Sequence, residues 1–244
     1  MSPGEQAARS ALLATARAMN GLGINHGKTG NVSVRCARGA RPGLLITPSG
    51  LPYERSEEAD LVWLALDVEA TEIEAELDQR AAGRALDGRY APSSEWRFHR
   101  DILVTRDDVE AVVHTHAQAC AALSCLPAIQ RDGIPAFHYM VAAAGGDDVR
   151  CARYEPFGSA ELSQAALQAL AGRRACLLAH HGLIALGATL EAALALAVEL
   201  EWLAATYAQA LTVGSVLGGP ARLDAAQMDE VLTRFRSYGS ARLR

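Results

Sequence analysis

Two histidines close an apolar run in AVVHTHAQAC (111–120), and their spacing is the first chemical signal in this chain. In an extended strand, residues i and i+2 project from the same face, so His114 and His116 can grip one ion together. A zinc-type site needs at least one further protein ligand. The segment CLLAHHGLIALG (176–187) offers two more imidazoles, His180 and His181, at a tight turn between two apolar strands. Adjacent residues of extended chain point opposite ways, so one of that pair at most is expected to face the same ion. Glu95, in PSSEWRFH, supplies a carboxylate at the start of a helix, where the helix dipole favours its ionised form. On local evidence alone, a helix-start carboxylate without further role is the better reading. His99, one helical turn later, reads as a structural residue and not a ligand.

Three short polar loops could receive an anion: GKTGNVS (27–33), TPSG (47–50) and PSSE (92–95). Each places small residues and backbone N–H groups at the end of an element, and Ser93 and Ser94 precede a helix. Taken singly, each is only a turn or a cap. Walker and dinucleotide glycine motifs are both missing.

The elements that must position these residues follow from periodicity and punctuation. Residues 4–20 show helical spacing, ended by Gly21 and Gly23. NVSVR (31–35) and LLIT (44–47) read as a strand hairpin around Gly39, Pro42 and Gly43. A strand follows near 61–66, then a charged segment to Gly88. Helices are predicted over 94–105, 117 to about 123, 159–172, 190–211 and 224–239. The last carries Asp224 and Gln227 as a capping box and Gly239 as terminator. Strands are predicted over 109–116, 136–144 and on either side of the histidine turn within 176–187. The alternation says α/β or α+β, with the strand order open.

Composition sets the outer bounds. Of 244 residues half are apolar and 21% are charged, enough for one sizeable α/β core. Net charge is −5 with no basic cluster, which speaks against a nucleic-acid surface. The stretch 190–211 carries Glu191, Glu199 and Glu201 and is no membrane span. MSPGEQAARS lacks the apolar segment of a signal peptide. Five irregularly spaced cysteines without a CxxC pair read as reduced thiols, so a cytoplasmic location is expected.

GNVSVR, ITPSG, PSSEWRFH, VVHTHA, IPAFHYMVAAAGG and HHGLIALG occur here in that order, and together they resemble the class II aldolase/adducin-head family. The resemblance runs from about residue 8 to RFRSYG. It implies one domain over 1–244 with a three-layer α/β/α sandwich and a central, largely antiparallel sheet. It also implies one Zn²⁺ per subunit on His114, His116, His181 and Glu95, with Glu95 doubling as acid/base. The phosphate of the substrate would fall to Gly30, Asn31, Ser49, Gly50, Ser93 and Ser94. Tyr139 would deliver a proton to the aldehyde oxygen. Tyr238, in a tail from about 212, would reach a neighbouring subunit's site in a homotetramer. The reaction implied is cleavage of a ketose 1-phosphate to dihydroxyacetone phosphate and a short aldehyde through an enediolate. L-Fuculose 1-phosphate and the 5-deoxy or 5-methylthio ribulose 1-phosphates share that phosphate end. No Schiff base is required, which suits a chain whose one lysine, Lys28, lies beside the phosphate loop. Two stretches depart from the pattern: 51–91 is longer, with the acidic run EATEIEAE, and residues are added before IPAFHYM. Both bear on the aldehyde end. Related enzymes of this fold act as 4-epimerases, with aspartate in place of Glu95, or as dehydratases and decarboxylases. A non-catalytic adducin-like scaffold is the alternative of another class, with no need for a complete site.

Overall fold

The computed structural model describes residues 2–81 and 89–237. Tyr238 and Gly239 therefore lie outside the described residues. Helix α1 (Pro3–Gly21) leads into the hairpin β1 (Asn31–Arg35) and β2 (Gly43–Ile46), then β3 (Val62–Ala65) and α2 (Ala70–Ala81). Next come α3 (Trp96–Thr105), β4 (Ala111–Thr115), α4 (Gln118–Ser124) and α5 (Pro127–Asp132). The short strands β5 (Ile134–Pro135), β6 (Asp148–Val149) and β7 (Cys151–Ala152) precede α6 (Ala160–Ala169). β8 (Ala175–Leu178), β9 (Gly182–Gly187), α7 (Leu190–Leu217) and α8 (Ala225–Ser237) complete the described chain.

Seven strands form one sheet in the order β3-β2-β1-β4-β9-β8-β7, antiparallel throughout except for the β7–β8 pair. β5 and β6 pair separately. Successive side chains of a strand take opposite faces, and both faces are covered. Ala111 and Val113 of β4, with Leu183 and Ala185 of β9, meet α1, α4 and α7 on one side. Val112, Ile184 and Leu186 meet α2, α3 and α6 on the other. That is the expected α/β/α sandwich. Its central strands read as unbroken apolar runs because neither face sees water.

Two regions differ from the reading of the sequence. Residues 136–144 do not form a strand: Tyr139–Ala144 is a 3-10 helix, capped by His138, whose Nδ1 accepts from Met140 N at 3.2 Å. Gly145 ends it with φ 95°, a left-handed conformation that glycine adopts at little cost. A short apolar run has no period long enough to separate strand from helix. The charged stretch after β3 also holds a helix, α2, which among the side chains described buries Ala70 and Ile73. With so narrow an apolar face, its periodicity is faint. At the C-terminus the capping box forms as read, Gln227 N donating to Asp224 Oδ1 at 2.8 Å and Asp224 N to Gln227 Oε1 at 2.9 Å.

Candidate active site

The histidines are placed by the middle of the sheet. His114 pairs with Asn31 of β1 on one side and with Ile184 of β9 on the other. His116 follows β4 directly. The β8–β9 turn brings His181 to them, and Gly182 permits this approach: a Cβ there would lie 2.2 Å from Thr115 O. His180 takes φ 56°, left-handed for a residue with a side chain. The pair is therefore split. His181 turns into the site, whereas His180 meets Gln130 at 2.9 Å and stands edge-on to Tyr154.

Glu95 arrives from the other layer, at the N-cap of α3, but its carboxylate makes no capping hydrogen bond. It turns inward instead, with Oε2 3.2 Å from His114 Nε2 and Oε1 3.3 Å from His181 Nε2. His116 Nε2 lies 3.1 Å from His114 Nε2. One donor atom from each of Glu95, His114, His116 and His181 falls within 4.8 Å of the others.

Protonation favours a cation here. His114 donates from Nδ1 to Leu183 O at 2.8 Å, which turns its Nε2 toward the cluster. Burial, and next the neighbouring His114, holds His116 at a pKa of about 4 and His181 at about 3, so both rings are neutral at pH 7. Burial works against the charge of Glu95. The facing His114 and His181 and the Asn31 amide outweigh it, and the carboxyl stays well below its ordinary range. Glu95 Oε1 is buried without a hydrogen-bond partner. A partnerless buried carboxylate oxygen is costly, and a cation held by the four groups would satisfy it. Three imidazoles and a carboxylate suit zinc, whose structural and catalytic sites use these ligands. The residues present thus fit a divalent ion.

Asn31 donates from Nδ2 to Glu95 Oε2 at 2.9 Å. Its Oδ1 meets His99 Nε2, and His99 Nδ1 lies 2.7 Å from Ser33 Oγ. His99 is fully buried and lies outside the cluster.

The polar loops converge beside the cluster. TPSG and PSSE pair through Ser49 N to Ala91 O and Ser93 N to Thr47 O, both 2.9 Å. Lys28 Nζ donates to Gly50 O at 3.0 Å, closing the third loop against them. Ser49, Gly50 and Ser94 are exposed, whereas Gly30, Asn31 and Ser93 are buried. Gly30 N donates to Asn25 Oδ1 at 3.0 Å, and a Cβ on Gly30 would lie 2.5 Å from His114 O. Ser93 Oγ accepts from Glu95 N at 3.3 Å. A pocket of about 380 Å³ opens from the cluster, walled by Thr29, Ser94, Tyr154, Phe157 and His180. Tyr154 and Phe157 belong to no motif singled out in the sequence, and neither does Asn25. Only their tertiary placement marks them. Tyr139 is half exposed, lies tilted against the His138 ring, and does not line this pocket.

Comparison with known proteins places the chain in a family. The sequence profile of the Class II Aldolase and Adducin N-terminal domain matches residues 10–208. The chain is 48% identical to a 5-methylthioribulose-1-phosphate/5-deoxyribulose-1-phosphate aldolase of Rhodospirillum rubrum, covering 97% of this chain and 95% of that protein. It is 42% identical to the L-fuculose phosphate aldolase of Escherichia coli K12, over 93% of this chain and 94% of the relative. A solved L-fuculose 1-phosphate aldolase superposes with a TM-score of 0.78 at 31% identity, covering 97% of this chain and 98% of that one. No described helix is long and apolar enough to cross a membrane. The chain belongs to the class II aldolase and adducin N-terminal domain family and is an aldehyde-lyase of the metal-dependent class.

Proposed function

We propose that this enzyme uses Zn²⁺ to cleave a ketose 1-phosphate into dihydroxyacetone phosphate and a short aldehyde. The supporting observation is the buried Glu95–His114–His116–His181 cluster, with a partnerless carboxylate oxygen, set beside three joined polar loops. The three histidines and Glu95 would hold the ion, which when bound supplies Lewis-acid polarisation of the substrate's carbonyl and adjacent hydroxyl.

The chain's own groups carry the rest. The loops bearing Gly30, Asn31, Ser49, Gly50, Ser93 and Ser94 hold the phosphate, Asn31 through its main chain. Lys28 adds a positive charge at their mouth, where its amine already bonds Gly50 O. Fixing that non-reacting end sets the position of the reacting carbons. In cleavage the C4 hydroxyl gives up its proton, the C3–C4 bond breaks, and its electron pair stays on the three-carbon phosphate fragment. Glu95 delivers a proton to C3 of that fragment and removes it in the reverse direction. Tyr139 exchanges the proton of the aldehyde oxygen, and Tyr238 completes the site from a neighbouring subunit of a homotetramer. A complete cluster and joined loops favour catalysis over a scaffold role, and the length of Glu95 favours the aldolase over the epimerase.

The relatives' names point to fuculose 1-phosphate and to the 5-deoxy and 5-methylthio ribulose 1-phosphates as substrates. These differ only in the aldehyde, which the aromatic walls at Tyr154 and Phe157 would contact. Deuterium exchange from solvent into dihydroxyacetone phosphate, followed by NMR, tests the reaction without choosing an aldehyde. Chelator-sensitive, stereospecific exchange at the hydroxymethyl carbon is expected, and its absence in zinc-loaded protein would defeat the proposal. Lactaldehyde, acetaldehyde and methylthioacetaldehyde as acceptors then rank the three ketose phosphates.

A further inference from the structure

We propose that His99 is a positioning residue, acting through Asn31 to fix which oxygen of Glu95 faces the reacting atoms. Asn31's side-chain amide is then spent on the carboxylate and not on the substrate phosphate. The inference rests on the aldolase reading above.

The argument is geometric. Asn31 and Ser33 stand two apart on β1 and share a face. Glu95 and His99 stand four apart at the start of α3 and share a face as well. The two pairs interlock. Asn31 Nδ2 bonds Glu95 Oε2 at 2.9 Å, Asn31 Oδ1 meets His99 Nε2, and His99 Nδ1 meets Ser33 Oγ at 2.7 Å. Four side chains thus pin the first turn of one helix to the strand that pairs with the His114 strand.

The direction of every bond is forced from one end. An ionised carboxylate only accepts, so Asn31 must present its amide N–H to Glu95. Its Oδ1 must then accept from His99 Nε2–H. Burial holds His99 neutral, its pKa lowered to about 3, so Nδ1 is an acceptor and Ser33 donates its hydroxyl proton. All four residues are buried, and His99 and Ser33 are fully so. Water cannot substitute for a missing link.

The consequence falls on Glu95. Its Oε2 is held by Asn31, while Oε1 has no hydrogen-bond partner. Without the relay, the carboxylate could rotate about its terminal torsion, which is broad and roughly two-fold. The proton would then be offered from a distribution of positions and not from one.

The test uses the full-length, zinc-loaded protein with His99→Leu, His99→Gln, Ser33→Ala and Asn31→Leu. Three quantities are read: deuterium exchange into dihydroxyacetone phosphate, inorganic phosphate affinity by calorimetry, and bound zinc. Loss of an outer hydrogen-bond partner typically costs about 10–100-fold. H99L and N31L are expected to lose kcat for exchange on that scale, with KM and phosphate affinity near wild type. H99Q, which returns an N–H donor at the ε position, is expected to recover most of the loss, and S33A to lose less than H99L. Wild-type exchange in H99L would overturn the proposal. So would a parallel loss of phosphate affinity in N31L, or H99Q no better than H99L. Should H99L fail to fold, S33A and H99Q decide: both at wild-type kcat would refute the relay. A wild-type protein without exchange would instead fail the aldolase reading itself, and this inference with it.

Discussion

Glu95→Gln probes the proposed chemistry with the least disturbance of shape. Glutamine is isosteric, and its carbonyl can still accept from Asn31, which donates at 2.9 Å. The other terminal atom becomes an amide N–H₂ where Oε1 now lies, 3.3 Å from His181 Nε2 and without a hydrogen-bond partner. The negative charge goes, and with it the capacity to take a proton at neutral pH. The three imidazoles remain, so the metal should stay bound, though less tightly. Acid–base catalysis of this kind is worth about 10²–10⁴ in rate, so exchange into dihydroxyacetone phosphate should fall by that factor. The same range is about 2.7–5.5 kcal/mol of activation free energy at 1.36 kcal/mol per tenfold. The fold should persist, since burial opposes the charge that is removed. The assay is the NMR exchange experiment on protein whose zinc content has been measured. A metal-loaded variant exchanging within about tenfold of wild type would refute Glu95 as the proton carrier.

Further predictions follow from other parts of the structure. In metal-free protein, His116 and His181 are held at about 4 and 3 against an ordinary 6.5. The unfolded chain therefore binds more protons below pH 6.5, so stability should fall as pH drops from 6.5 toward 4; a flat melting temperature over that window would refute the assignment. Glu5 is held low by Arg38, against the opposing effect of burial and with help from Arg9, so its stabilisation is present above 4.5 and lost as pH falls through its lowered value. Glu5→Gln should accordingly flatten the acid limb of the melting curve below about pH 4.5, and an unchanged limb would count against it. Glu201 of α7 accepts from Ala119 N at 2.8 Å and Cys120 N at 3.0 Å, capping α4 just after His116. Glu201→Gln should cost about 1 kcal/mol in denaturant unfolding, and no loss would mean the cap is idle. Tyr139→Phe and Tyr238→Phe should each lower turnover with zinc content unchanged, and wild-type kinetics in either would remove that tyrosine from the reaction.

Much of the site could be read from the chain because it rests on short periods. The i, i+2 spacing of His114 and His116 needs only an extended strand to converge, and β4 with its pairing to β1 and β9 supplies it. Ser49, Ser93 and Lys28 lie in polar loops whose meeting depends on backbone bonds between TPSG and PSSE. The sequence could name those loops but not join them. Choosing between His180 and His181 required the turn itself, because a split pair leaves open which member faces inward.

The remainder belongs to contacts between distant segments. Residues 136–144 lacked the length to show a period, and a His138 cap with Gly145 decided for a 3-10 turn. Tyr154 and Phe157 carry no motif, and become pocket walls only because their loop lies against the β8–β9 turn. Ser33 and His99 are 66 residues apart, and nothing local marks them as a pair. The sequence by itself determined which groups could do the chemistry, through residue type and strand or helix period. Tertiary structure decided which of them meet and which oxygen of Glu95 is left without a partner, because those outcomes depend on register between strands and on a helix docked across them.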